Sequence, residues 1–204
     1  MAISATQVKE FRDRTGAPFM LAKSVLEESG GDFQKAVELL RTKAGQKGAK
    51  LGEREAKAGR VFTYVHFNGR LAALVEVNCE TDFVANTTEF QEMAQNIALH
   101  IACTKPVVVR REQVPAELVE KEKAASQDSI KGKPPEIAEK ILAGKLEKGL
   151  YMQMVLMDQP FCNEDKFKGT INDMVKGVAG KLGENIVVRR FAWSEVGVGG
   201  GASL

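Results

Sequence analysis

Little in this chain is arranged for covalent chemistry. Cys79, Cys103 and Cys162 stand far apart, with no CxxC spacing, no metal-ligand spacing and no disulfide framework. The two histidines, His66 and His100, lie outside HExxH or any comparable motif and read as packed or surface residues. Asp82 has no second carboxylate or histidine at motif spacing, and Cys79 has no partner base, so neither acid–base nor nucleophilic catalysis is spelled out. A phosphate-gripping GxxxxGK[ST] loop is absent; Gly177-Val178-Ala179-Gly180-Lys181-Leu182 has the wrong spacing and no hydroxyl after the lysine. What remains is recognition chemistry. In Thr81-Asp82-Phe83-Val84-Ala85-Asn86 an acid sits beside an aromatic, so that a ring could enter a pocket while a carboxylate meets a cation. The plainer reading makes Phe83 a core residue and Asp82 a helix cap, and composition alone favours it.

The elements around this stretch must position it. Phe62, Thr63, Tyr64, Val65 and Phe67 are strand formers, Asn68-Gly69 reads as a two-residue hairpin turn, and residues 71–77 form the return strand. Residues 81–86 then lie at a strand-to-helix corner, where a scaffold presents side chains to partners. Asn86 with Glu89 reads as a capping box for a helix burying Phe90, Met93, Ala94, Ile97 and Ile101.

Upstream, residues 1–45 read as three short helices. Ser4 to Gln7 is a capping box, flanked by an Ile3–Val8 staple, and the first helix buries Val8 and Phe11. Gly16 breaks it, and Pro18 opens a second helix with Met20, Leu21, Val25 and Leu26 on its apolar face. Asp32 caps a third, with Phe33, Ala36, Val37 and Leu40 as core. Residues 46–58 read as a solvated basic helical linker without the aromatics of a nucleic-acid stacking platform. Downstream, residues 115–129 and 135–154 have helical patterns joined by Lys131-Gly132-Lys133-Pro134-Pro135, which implies an antiparallel helical hairpin. A helix at 170–181 places Ile171, Met174, Val175, Val178 and Leu182 on one face, residues 186–191 are a last strand, and 197–204 a flexible glycine-rich tail.

The string Glu76-Val77-Asn78-Cys79-Glu80-Thr81-Asp82-Phe83-Val84-Ala85-Asn86 resembles, at all eleven positions, the signature of the elongation factor Ts family. Val8-Lys9-Glu10-Phe11-Arg12, Thr15-Gly16-Ala17, Met20, Lys23 and Leu26 resemble the ubiquitin-associated-like module at the front of that family, with departures at Pro18, Phe19 and Ala22. Lys133-Pro134 with residues 136–140 resembles its coiled-coil protrusion, Gln159-Pro160-Phe161 its return to the core, and Leu182-Gly183-Glu184-Asn185-Ile186 with Arg189-Arg190 its closing motif. The resemblance runs through the whole chain and fits the short type with a single core half.

It implies an α+β fold: an N-terminal three-helix module (1–45), a helical linker (46–58), and a core (59–204) whose small antiparallel sheet packs with helices and carries a helical hairpin at about 115–156. It implies a guanine-nucleotide exchange factor for elongation factor Tu that is not an enzyme and needs no cofactor or metal of its own. Thr81, Asp82, Phe83, Val84, Ala85 and Asn86 are the implied exchange contact, and Arg12, Phe19 and Met20 the contact of the N-terminal module. A different class, an adaptor that binds a protein through the three-helix module, leaves the Asp-Phe corner unexplained.

The bulk numbers agree with such a protein. The chain has 204 residues, enough for one or two domains with a real core, and a net charge of +2 that announces no nucleic-acid partner. No apolar run reaches membrane-spanning length, and with no signal peptide and dispersed cysteines the expected location is the reducing cytoplasm. Three strands leave a face or edge to cover, so a non-covalent homodimer is expected.

Overall fold

A computed structural model describes residues 3–203, with only the backbone described for Asp128. The described chain divides into two compact units. One holds the residues up to Gly59 with Asn78–Gln91 and Asp173–Val187; the other holds Arg60–Val77, Glu92–Asn172 and the residues from Val188 onward. No helix is long and apolar enough to cross a membrane, and no three His, Cys, Asp or Glu side chains gather as a metal site, among the described residues.

The first unit opens with α1 (Ala5–Thr15), α2 (Phe19–Glu28) and α3 (Phe33–Lys50). The capping box at Ser4 forms: Gln7 N–H donates to Ser4 Oγ at 3.2 Å, and Ser4 N–H donates to Gln7 Oε1 at 3.0 Å. Asp32 caps α3 by accepting from Gln34 and Lys35 N–H. Val8, Phe11, Ala22, Val25, Leu26, Ala36 and Leu40 make the core, into which Ile3 and Phe33 also pack. Burying each large apolar side chain contributes roughly 1.5–3 kcal/mol, enough to hold three helices too short to persist alone. Two expected core positions face out. Met20 lies opposite the Ala22–Val25–Leu26 stripe of α2 and is 73% exposed. Val37 lies off the Ala36–Leu40–Ala44 stripe of α3 and is exposed. The third helix does not stop near 45; it runs to Lys50, taking in the first part of the expected linker.

The second unit is built on a four-stranded antiparallel sheet, ordered β1 (Ala58–Val65), β2 (Leu71–Cys79), β3 (Val187–Glu195), β4 (Gly199–Ser203). The hairpin turn is longer than the expected two residues. Gly69 N–H donates to His66 O at 2.8 Å, and Gly69, at φ 68°, takes the left-handed position. His66 N–H donates to Leu71 O at 2.8 Å, so residues 67–70 make a four-residue loop built around that turn. Phe67 therefore leaves the strand and stands in solvent. The glycine-rich tail expected to be flexible forms β4 instead, in register from Phe191↔Ser203 to Glu195↔Gly199. Backbone pairing with the open edge of β3 needs no side-chain pattern, and Gly201 lies where a Cβ would meet the Trp193 indole at 2.8 Å. Leu204 lies outside the described residues.

Helix α4 (Asp82–Ala85) follows β2, and α5 (Thr88–Thr104) follows it, burying Phe90, Met93, Ala94, Ile97 and Ile101 as expected. The hairpin comprises α6 (Ala116–Ala125), α7 (Gln127–Ile130) and α8 (Pro135–Leu146); α8 passes through a π turn, Glu147–Tyr151, into α9 (Met152–Met154). Val108, Val114, Leu146, Leu150 and Val155 cluster at its root, beside a parallel bridge from Val108 to Val155. Helix α10 (Ile171–Leu182) buries Ile171, Met174, Val175 and Ala179.

Candidate functional site

Strand β2 alternates, with Ala73, Val75, Val77 and Cys79 buried, and delivers the chain to the corner. The Cys79 thiol donates to Thr81 O at 3.1 Å. Burial, then the nearby Glu184 carboxylate, raises the pKa of Cys79, so it remains a protonated donor and is not a nucleophile. Thr81 is extended and caps α4, its Oγ1 accepting from Val84 N–H at 3.4 Å. One turn of helix then sorts the side chains. Val84 and Ala85 are buried, Thr81, Asp82 and Asn86 are exposed, and the Phe83 ring is 88% exposed. Phe83 is therefore not core. Asn86 ends the turn rather than capping α5: its N–H and Nδ2 donate to Asp82 O at 3.1 and 2.8 Å. Thr87 serves the next helix, with Oγ1 accepting from Phe90 N–H at 3.3 Å.

A brace from the other end of the chain locks this corner. The Glu184 carboxylate accepts from Glu80 N–H at 3.1 Å, Thr81 N–H at 3.0 Å and Thr81 Oγ1 at 2.6 Å. Glu80 answers by accepting from Asn185 N–H at 2.7 Å and pairing with Arg54 at 3.6 Å. Asn185 Nδ2 in turn donates to Gly52 O and Arg54 O. Charge-assisted bonds of this kind are stronger than neutral ones, and here they hold the backbone from which Asp82 and Phe83 project. Sequence reasoning quoted residues 182–186 as a motif but assigned Glu184 no role. The partners lie a hundred residues apart, beyond any local pattern.

The N-terminal helices belong to the same compact unit as the corner. Arg12 is exposed, Phe19 is 49% exposed and Met20 is more exposed than Phe19. Helix α3 lies backbone-to-backbone on α10. A Cβ on Gly48 would come within 2.0 Å of Lys176 O, and one on Gly180 within 1.8 Å of Ala44 O. Only glycine permits that approach, so Gly180, in the stretch nearest to a phosphate loop, is a packing residue. Lys181 Nζ donates to Thr15 O at 2.8 Å at the end of α1. Burial lowers the pKa of Lys181 while the Glu89 carboxylate opposes the shift.

The description of the family that matches residues 26–176 is elongation factor TS. Over 199 residues the chain is 47% identical to the elongation factor Ts of Fervidobacterium nodosum, covering 97% of this chain and 100% of that protein. It is 48% identical over 199 residues to the elongation factor Ts of Thermotoga petrophila, covering 98% of each. Against that of Thermosipho melanesiensis it is 48% identical over 198 residues, with 96% and 99% covered. These similarities, over an α+β fold with a braced strand-to-helix corner, define the class as a translation elongation factor acting in protein biosynthesis. Within that class, the chain belongs to the elongation factor Ts family.

Proposed function

We propose that this chain binds elongation factor Tu, in its GDP-bound and nucleotide-free forms, and promotes release of the GDP. The observation that carries the reading is Phe83: a large ring, 88% exposed, at the tip of a corner whose backbone Glu184 holds from behind. Leaving such a ring in water costs free energy unless a partner covers it, and buried aromatic anchors dominate interface energetics. Asp82 and Phe83 enter the GTPase near its magnesium ion, with Thr81, Val84, Ala85 and Asn86 fixing their angle. Arg12, Phe19 and Met20 contact the base side through the ubiquitin-associated-like module. Interface energy is converted into weaker nucleotide contacts, and linkage requires that nucleotide weaken this interface by the same factor. No bond is made or broken in the exchange, so the chain acts as a binding partner and not as an enzyme, in the cytoplasm where translation runs.

The working form in this reading is a homodimer. Val61, Val65 and Leu74 are exposed on the outer face of the sheet, where Thr63, Ala72 and Ala192 line a shallow groove beside them. An apolar sheet face of this kind suits a second copy packed on it. The primary test is release of labelled GDP from purified elongation factor Tu with and without the chain. Substoichiometric chain should accelerate release and be reused; an unchanged rate overturns the reading.

A further inference from the structure

The hairpin excursion begins beyond the end of α5 and closes at Gln159-Pro160-Phe161-Cys162, and this return is bolted to α5. Cys162 N–H donates to His100 Nδ1 at 3.1 Å. His100 Nε2 therefore carries the ring proton and donates to Gln159 Oε1 at 3.0 Å, an oxygen that also accepts from Thr104 Oγ1 at 2.8 Å. The Phe161 ring is buried 5.8 Å from the imidazole, and Phe161 N–H donates to Gly169 O at 2.9 Å. His100, Cys103 and Thr104 share one face of α5, at spacings of three and four residues. Cys103 lies less than one turn beyond His100, whose ring holds the Cys162 backbone, so the two cysteines are neighbours there, each close enough to act on the other's charge. Both are exposed, while Cys79 is buried.

We infer that Cys103 and Cys162 are a redox dithiol, converted to an intramolecular disulfide by a low-molecular-weight disulfide such as oxidised glutathione. The fixed backbone supplies proximity, and exposure supplies access. Partial desolvation, then the Cys103 sulfur, pushes the Cys162 thiol up to about 11, so Cys162 is a poor first nucleophile and the opening attack is assigned to Cys103. The Cys103 thiolate attacks one sulfur of the reagent, whose S–S bond breaks and releases one glutathione thiolate. Cys162 then gives up its proton and attacks Cys103 Sγ, expelling the second glutathione. Two protein thiols are oxidised to one disulfide, and one disulfide is reduced to two thiols. The new bond closes residues 103–162 into a loop and staples the root of the α6–α8 hairpin. Cross-linking so long a loop should raise the thermal midpoint by several degrees. The inference is independent of the proposed exchange activity.

The test treats the full-length chain with oxidised glutathione and reads intact mass and linked peptides. The wild type should lose two hydrogens, carry no adduct and yield a single 103–162 cross-link, while its melting temperature rises. Cys162→Ser should stop at a glutathionyl adduct on Cys103, and Cys103→Ser should react slowly at most. Both variants should melt as the reduced wild type does. Wild-type chain that retains glutathione on Cys103 with no cross-link overturns the inference, as does a cross-link through Cys79.

Discussion

Phe83 and Asp82 are neighbours with unequal expected weights. Since Phe83 touches solvent and not core, Phe83→Ala should leave the melting temperature nearly unchanged. It should slow GDP release from elongation factor Tu by more than about tenfold, the equivalent of ~1.4 kcal/mol, because aromatic anchors commonly carry that much of an interface. Asp82→Asn keeps the shape and loses the charge, and should slow release less; wild-type kinetics in both variants would remove the corner from the mechanism. His100 acts on stability instead. Burial, partly opposed by the Gln159 hydrogen bond, lowers its pKa from 6.5 to about 4. A base whose folded pKa is depressed is protonated first in the unfolded chain, so the unfolded state binds more protons between those values. Stability should be full above pH 6.5 and decline as pH falls toward 4, by roughly 3 kcal/mol in all. Melting curves across that range should fall less steeply for His100→Gln, which cannot titrate; parallel profiles would show that His100 does not drive the loss.

At the scale of elements, the corner works because two chain ends meet behind it. The end of β2 and the turn after α10 exchange carboxylates: Glu184 holds Glu80 and Thr81, and Glu80 holds Asn185. A four-residue helix such as α4 has too few internal bonds to define its own direction, so the brace must do it. Glu184→Ala leaves these donors to water or unsatisfied, and should cost about 1–3 kcal/mol in urea unfolding. It should also slow nucleotide release, because Glu184 holds the backbone from which Asp82 and Phe83 project. Glu184→Gln, which keeps one acceptor oxygen, should recover part of both losses. A Glu184→Ala chain with full stability and full exchange rate would mean that α4 holds its direction unaided. The glycine contact between α3 and α10 is a brace of a different kind: it brings the N-terminal helices and the corner into one unit by backbone approach alone.

At the scale of the molecule, the fourth strand changes the argument for self-association. With β4 on β3, the sheet edges are β1 and the glycine-rich β4, while the outer face stays apolar and is the better surface for a second copy. Sedimentation equilibrium under reducing conditions should give twice the chain mass at micromolar concentration. Leu74→Glu, on the outer face, should give the single chain mass with an unchanged far-ultraviolet spectrum. A monomeric wild type would remove the dimer, and a dimeric Leu74→Glu chain would move its interface off this face.

Local patterns were enough for the caps at Ser4 and Asp32, the buried stripe of α5, the alternation of β2 and the place of the strand-to-helix corner. Each depends on residues two to four positions apart, where the period of a helix or strand and a side-chain-to-backbone bond decide the outcome. The resemblance at residues 76–86 was likewise written in contiguous residues. Tertiary structure alone decided which side of α2 Met20 takes, because four apolar residues on one helix do not say which of them meets a neighbour. It decided that a glycine-rich tail becomes β4, since backbone donors and acceptors pair without any side-chain signal. It placed Phe83 in water, Glu184 behind Thr81 and the Cys162 backbone against His100 on the helix that carries Cys103. Those contacts join residues tens to a hundred positions apart, and packing, not local periodicity, selects them.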